Sequence, residues 1–314
     1  MKKAIITSIS GTKLTANERR LFRKHQPWGI ILFKRNLKNY NQIKILIKSI
    51  KKIFNNSKYP IMIDEEGGSV SRLSDVINTS KFSQSFFGEI YSKNKTVGKK
   101  IYEIYINNLS QILRDLGINL NTVPVLDKLY KHTNKVLKNR MYSRECQKII
   151  KLGQTCIKTF QKNKVLCVIK HIPGHGLATS DSHKKLPIVN KNLKFLNSND
   201  FKCFKNNSSH FAMTAHILYK KIDNKNCVTF SKKIINEIIR KKIGFKGILI
   251  SDDINMKALK YDYLNNAKKS IEAGCNLALY CKGNFAESKK LLTNMPYIDL
   301  FTKKKTSEFY KFLR

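Results

Sequence analysis

Three stretches of the chain concentrate the residue types that transfer protons, attack an electrophilic carbon or hold a polyhydroxylated ligand. In IMIDEEGGSVSRL, residues 61–73, an apolar run leads straight into three carboxylates, two glycines and Arg72. Asp64 comes directly off the run and can accept two hydroxyl hydrogen bonds from a sugar ring, while Gly67 and Gly68 permit a tight turn. A solvated acidic turn at a strand end fits this segment equally well. KHIPGHGLATSDSHKKLP, residues 170–187, carries Lys170, His171, His175, Asp181 and His183. Those histidines, with Asp252 or Asp253, suit a metal-dependent hydrolase. A loop that works without metal accounts better for Asp181-Ser182-His183, because a carboxylate two residues from an imidazole can orient it, fix its tautomer and stabilise its charged form. In IGFKGILISDDINM, residues 243–256, an apolar run ends at Asp252 and Asp253. Adjacent side chains of an extended chain point to opposite sides, so one aspartate can face a ligand as nucleophile while the other supports the turn.

Each of these stretches begins as a short apolar run, and such runs recur along the whole chain. Candidate strands span residues 4–9, 28–33, 59–64, 118–126, 165–171, 211–216, 247–251 and 277–281, with amphipathic helical patterns between them. Residues 15–24 open with a TANE capping box, and residues 42–54 place Ile43, Leu46, Ile47 and Ile50 on one face. Further helical patterns cover residues 102–116, 144–161, 232–242 and 265–273. Eight strands alternating with helices close most economically into a (β/α)8 TIM-type barrel, although a doubly wound open sheet uses similar segments. The polar motifs follow the third, fourth, fifth and seventh runs, as expected of a barrel that carries its site on the C-terminal rim. No linker or composition shift divides the chain, so a single domain over residues 1–314 is expected.

Composition narrows the functional class. No stretch approaches the roughly 20 apolar residues that cross a bilayer, and the apolar run at residues 4–9 is broken too early for a signal-peptide core. Seven scattered cysteines without a CxxC pair fit reduced thiols, not a disulfide framework. The net charge of +40 suggests nucleic acid. Only ten of the 61 basic residues are arginine, however, and the lysines are spread evenly among Asn and Ile, with no basic module. No specific nucleic-acid or membrane partner is expected.

Taken together, GIILFKRN (residues 29–36), DEEGG, VPVLD (123–127), NRMYS around Arg140, KHIPGHG with DSH, GFKGILISDD and AGCNLALYC (273–281) resemble the NagZ-type β-N-acetylglucosaminidases of glycoside hydrolase family 3. The resemblance extends over nearly the whole chain. It implies a retaining, two-step hydrolysis through a covalent glycosyl-enzyme, with Asp252 as nucleophile and His183 as general acid/base paired with Asp181. It also implies that Asp64, Arg72, Arg140, Lys170 and His171 bind the N-acetylglucosamine unit. The implied substrate is a muropeptide, GlcNAc linked to 1,6-anhydro-N-acetylmuramic acid, processed in peptidoglycan recycling by a cytoplasmic monomer without metal or other cofactor. The pattern has departures: Ser69 stands where arginine is common, Glu65 where glutamine is common, and VLKN precedes Arg140 where a glycine and an aspartate are usual. Histidine suits the acid/base role because free imidazole titrates near about 6.5, close to working pH.

Overall fold

The computed structural model describes residues 1–182 and 184–314, without the side chain of Lys135. Its centre is a closed barrel of eight parallel strands: β1 (Lys3–Thr7), β2 (Pro27–Leu32), β3 (Ile61–Ile63), β4 (Leu120–Asn121), β5 (Leu166–Ile172), β6 (Phe211–Thr214), β7 (Ile248–Asp253) and β8 (Leu277–Leu279). Each strand pairs with the next in sequence, and β1 closes the ring by pairing with β8, Ile5 opposite Ala278. All eight expected runs are barrel strands, and the open-sheet alternative is excluded by that closure.

The alternation within each run explains why these residues form strands buried on both faces. Ile6, Ile31, Met62, Ile248, Ile250, Leu277 and Leu279 point into the barrel. Their neighbours Ile5, Ile30, Leu32, Ile61, Ile63, Leu249 and Ala278 point outward against the helices. Around them lie the helix Ala16–Lys24, entered through the expected box of Thr15 and Glu18, and the helices Tyr40–Ile53, Lys95–Leu116, Cys146–Lys162, Ile234–Lys242 and Tyr263–Ala273.

Several elements lie outside the sequence expectation. The helices Gln84–Lys93 and Phe285–Asn294 were not anticipated, nor was a separate pair of short strands, Ile188–Val189 and Leu218–Tyr219. The C-terminal helix Leu300–Phe312 was also missed; it closes the lower mouth of the barrel, where Phe309 joins the interior cluster and Thr306 accepts a hydrogen bond from Trp28 Nε1 at 2.8 Å.

The expected strand 118–126 is regular only over Leu120–Asn121. Beyond it, Pro124 has no N–H to offer a ladder, and the asparagine side chains at either end of the short strand add bonds to β3 and the turn after it. Asn119 Oδ1 accepts from Ile61 N at 2.9 Å, and Asn121 bonds both the N–H and the carbonyl of Glu65. The Asn121 bonds lock the DEEGG turn to the top of β4.

Candidate active site

Asp64 follows β3, Thr122 follows β4, Lys170 and His171 lie near the end of β5, and Asp252 lies near the end of β7. All of them, with Arg72, Arg140 and Asp181 from the loops, line one cavity of about 260 Å³ at the C-terminal mouth. Ile31, Phe33, Met213, Met256 and Leu279 add apolar wall to it. His183, the other expected site residue, lies outside the described residues.

One side of the cavity is a compact charge network. Lys170 Nζ sits 2.6 Å from Asp64 Oδ1, 2.5 Å from Glu66 Oε1 and 3.0 Å from Thr122 Oγ1. Arg72 donates to Asp64 Oδ2 at 2.7 Å, and Thr122 donates to Oδ1. Arg140 forks onto Glu66 through Nε and one terminal nitrogen, both at 2.8 Å. Burial alone would raise both carboxyls; Lys170 and Arg72 outweigh it at Asp64, and Arg140 and Lys170 at Glu66, so both are held below the ordinary carboxylate range. Three cations and two carboxylates thus satisfy one another while leaving polar edges toward the cavity.

A second cluster aims the histidines. Asp127 is fully buried and held low: burial opposes ionisation, but the nearby His171 and the N–H of His175 outweigh it. An ionised carboxylate only accepts, so the 2.7 Å contact with His171 Nδ1 places a proton on that nitrogen and fixes the ring. His175 is bound through its backbone N–H to Asp127 Oδ1 at 2.7 Å. Burial, reinforced by His171, pushes the His175 imidazole down to about 4, so it is neutral, and its buried Nδ1 has no hydrogen-bond partner among the described residues. Also among the described residues, no three His, Cys, Asp or Glu side chains are grouped to hold a metal ion.

The paired aspartates divide as an extended chain requires. Asp252 faces the cavity, while Asp253 turns away, its Oδ1 accepting from the N–H groups of Asn255 and Cys281, each at 3.2 Å. Burial would raise Asp252, but His216, His171 and the Asp253 N–H at 2.8 Å hold it low and ionised. Burial pushes Asp253 up to about 6, the Asn255 bond only partly offsetting it and the charge of Asp252 adding to it. His216 donates from Nε2 to the Asp253 carbonyl at 3.0 Å and so braces the end of β7.

The loop glycines Gly174 and Gly176 stand where neighbouring chain comes close. A Cβ on Gly176 would lie 1.7 Å from the Lys128 carbonyl oxygen, and one on Gly174 would lie 2.7 Å from Asp200 Cβ. They are sites of close approach that seat the loop on its neighbours. Glu65 has a structural task too: fully buried, it accepts from the N–H groups of Arg72 and Leu73 and from the Thr79 hydroxyl, and so shapes the turn that presents Arg72.

A family model described as the glycosyl hydrolase family 3 N-terminal domain matches residues 2–300. The chain belongs to this family. It is therefore a glycoside hydrolase. It is 28% identical over 298 residues to a β-hexosaminidase of Methylobacillus flagellatus, with 93% of this chain and 84% of that protein covered. It is 31% identical over 287 residues to a β-hexosaminidase of Neisseria meningitidis serogroup C, covering 88% and 77%. Among solved structures it resembles NagZ from Neisseria gonorrhoeae in complex with N-trifluoroacetyl-D-glucosamine, with a TM-score of 0.87, 27% identity, and 100% and 90% of the two chains covered.

In this family 3 chain, several groups that organise the cavity were not singled out from sequence: Glu66, Thr122, Asp127 as the partner of His171, and His216. Glu66 and Asp127 stood inside quoted motifs, DEEGG and VPVLD. A carboxylate immediately beyond an apolar run was the available signal, but their partners Arg140 and His171 lie 74 and 44 residues further along the chain.

Proposed function

We propose that the protein is a retaining β-N-acetylhexosaminidase that releases terminal β-linked N-acetylglucosamine. The observation that carries this reading is the pairing, in one cavity, of an ionised, cavity-facing Asp252 with the Asp64–Arg72–Lys170 network, which offers fixed donors and acceptors to sugar hydroxyls. The β-hexosaminidase names of the relatives, and the amino-sugar ligand of the similar gonococcal structure, support an amino sugar as the bound unit.

In the first step Asp252 attacks the anomeric carbon as the bond to the leaving oxygen breaks, and His183, oriented by Asp181, gives that oxygen a proton. In the second, His183 takes a proton from water, whose oxygen attacks the same carbon and frees Asp252. Two inversions give net retention. Imidazole replaces the second carboxyl group that most retaining enzymes use, and the scheme calls on no metal ion. Arg140 and His171, fixed by Glu66 and Asp127, bind the sugar with Asp64, Arg72 and Lys170. The natural substrate in this reading is GlcNAc–1,6-anhydro-N-acetylmuramic acid muropeptide from peptidoglycan recycling, hydrolysed in the cytoplasm by a monomeric, single-domain enzyme spanning residues 1–314.

The competing route, attack by the substrate's own acetamido oxygen, needs paired carboxylates to polarise the acetamido group. Asp253 is held in the turn by Asn255 and Cys281, which favours attack by Asp252. A slow 5-fluoro-N-acetylglucosamine substrate should accumulate the intermediate, and peptide mass mapping should find the sugar on Asp252. Label on Asp253 would correct the residue; unlabelled protein with an oxazoline released into solution would sink the covalent route.

A further inference from the structure

Away from the cavity, two thiols meet at a joint of the loop frame. Cys146 opens the helix Cys146–Lys162, and Cys203 lies in the helical turn Phe201–Phe204 packed against that helix. Both sulfurs converge on one acceptor, the carbonyl oxygen of Asn199, at 3.2 Å from Cys146 Sγ and 3.6 Å from Cys203 Sγ. One shared acceptor makes the two sulfurs neighbours. Cys146 is half-buried and reachable, whereas Cys203 is buried behind it.

A buried cysteine is commonly no more than a small apolar side chain, and its surroundings decide whether it reacts. The groups facing Cys146 are Cys203, Lys128, Lys202 and Tyr130, whose hydroxyl is bonded to Asp200. The neighbouring Cys203 thiol and the two ammonium groups outweigh burial and lower the Cys146 thiol, favouring the nucleophilic thiolate. The chain supplies its own contrast in Cys156 and Cys167. Both are buried in the core, and burial pushes the Cys167 thiol up. That pair has neither access nor activation.

We propose that Cys146 and Cys203 form a redox-modification site that a peroxide converts to a disulfide. The Cys146 thiolate displaces hydroxide from hydrogen peroxide: an S–O bond forms, the O–O bond breaks, sulfur is oxidised and peroxide oxygen is reduced. Cys203 then attacks Cys146 Sγ, an S–S bond forms, the S–O bond breaks, and the Cys203 proton leaves with the departing hydroxide as water. Two thiols and one hydrogen peroxide give one disulfide and two waters. The position gives the link a reach into the site. Asn199 Oδ1 accepts from Lys128 Nζ at 2.6 Å, Asp200 accepts from Tyr130 at 2.7 Å, and Asp200 abuts Gly174 of the histidine loop. The disulfide therefore ties the helix that follows the Arg140 segment to the segment that backs His171 and His175.

The test uses the reduced wild-type enzyme, exposed to hydrogen peroxide, quenched with an alkylating agent, digested without reduction and mapped by mass spectrometry. A peptide linking Cys146 to Cys203 should appear about tenfold faster than oxidation at any other cysteine, and dithiothreitol should return both thiols. In Cys203→Ser, dimedone should trap a sulfenic acid on Cys146. The proposal fails if wild-type enzyme keeps both thiols while Cys281 is oxidised, or if Cys146 passes to the sulfinic acid with no linked peptide. The wild-type map decides the matter even where the serine variant does not fold.

Discussion

Glu66 takes no part in the proposed chemistry and yet holds two groups that do. Its side chain is 1% exposed, and it is the described partner that both Arg140 and Lys170 share. Removing one member of a buried ion pair leaves a charge in low dielectric, a change that typically costs about 3–5 kcal/mol. Glu66→Leu should therefore lose stability of that order near pH 7, measured by urea unfolding, because Arg140 loses its fork while Lys170 keeps Asp64. The pH dependence has a definite sign. A carboxyl held below its unfolded value stabilises the fold above that value, about 4.3 for glutamate, and the contribution fades as pH falls through the folded value. The gap between wild type and Glu66→Leu should accordingly be full above about pH 5 and narrow on acidification. A gap that is small at pH 7, or that widens in acid, contradicts the assigned network.

The βα elements bring distant residues together by close approach of backbone as much as by side-chain bonds. Gln84, on the helix Gln84–Lys93, bonds both the N–H and carbonyl of Val125 and the carbonyl of Arg140, joining that helix to the β4 extension and the Arg140 segment. Gly88 on the same helix leaves room for the Tyr142 carbonyl, and Gly176 does so for that of Lys128. Gly176→Ala must move backbone against backbone, since its Cβ would fall 1.7 Å from that oxygen. A displacement of about 1 Å in a loop carrying catalytic groups can cost on the order of 100-fold in rate. This variant should keep its barrel circular dichroism and lose activity on that scale; undiminished kcat would show that the seat of the loop does not govern its chemistry. The same geometry explains what could be read in the sequence. Period-two alternation is local, so all eight strands were visible, and Asp64, Lys170 and Asp252 were visible because each lies at or near the end of an apolar run. The Lys170–Asp64 pair spans 106 residues and the Trp28–Thr306 bond spans 278, separations at which neither a partner nor a closing helix leaves a local signal. The turn at Gly67 and Gly68 was legible, but the close approaches at Gly88 and Gly176 were not, because a sequence shows where a side chain is missing and not what fills the space.

At the scale of the whole molecule, the +40 charge acts on stability more than on the site. Sixty-one basic side chains face only 21 acidic ones, so most lysines have no opposite charge to meet and repel one another across the surface. Two opposing effects of salt follow. Screening relieves that repulsion, as the Debye length shrinks from about 10 Å at 0.1 M toward about 3 Å at 1 M. It also weakens surface pairs such as Lys34–Asp75 at 3.5 Å and Lys99–Glu103 at 3.3 Å. Exposed pairs of this kind are typically worth only about 0–1 kcal/mol each, and the excess of lysine leaves many repulsive terms for each attractive one. Repulsion should dominate. Raising sodium chloride from about 0.05 to 0.5 M should stabilise the protein by about 1 kcal/mol, equivalent to a rise of roughly 2–4 °C in Tm. The same salt should abolish adsorption to duplex DNA, which for diffuse lysines is weak and independent of sequence. A Tm that falls with salt would mean that the surface pairs outweigh the repulsion, and sequence-selective DNA binding that survives 0.15 M salt would mean that the lysines form a dedicated surface.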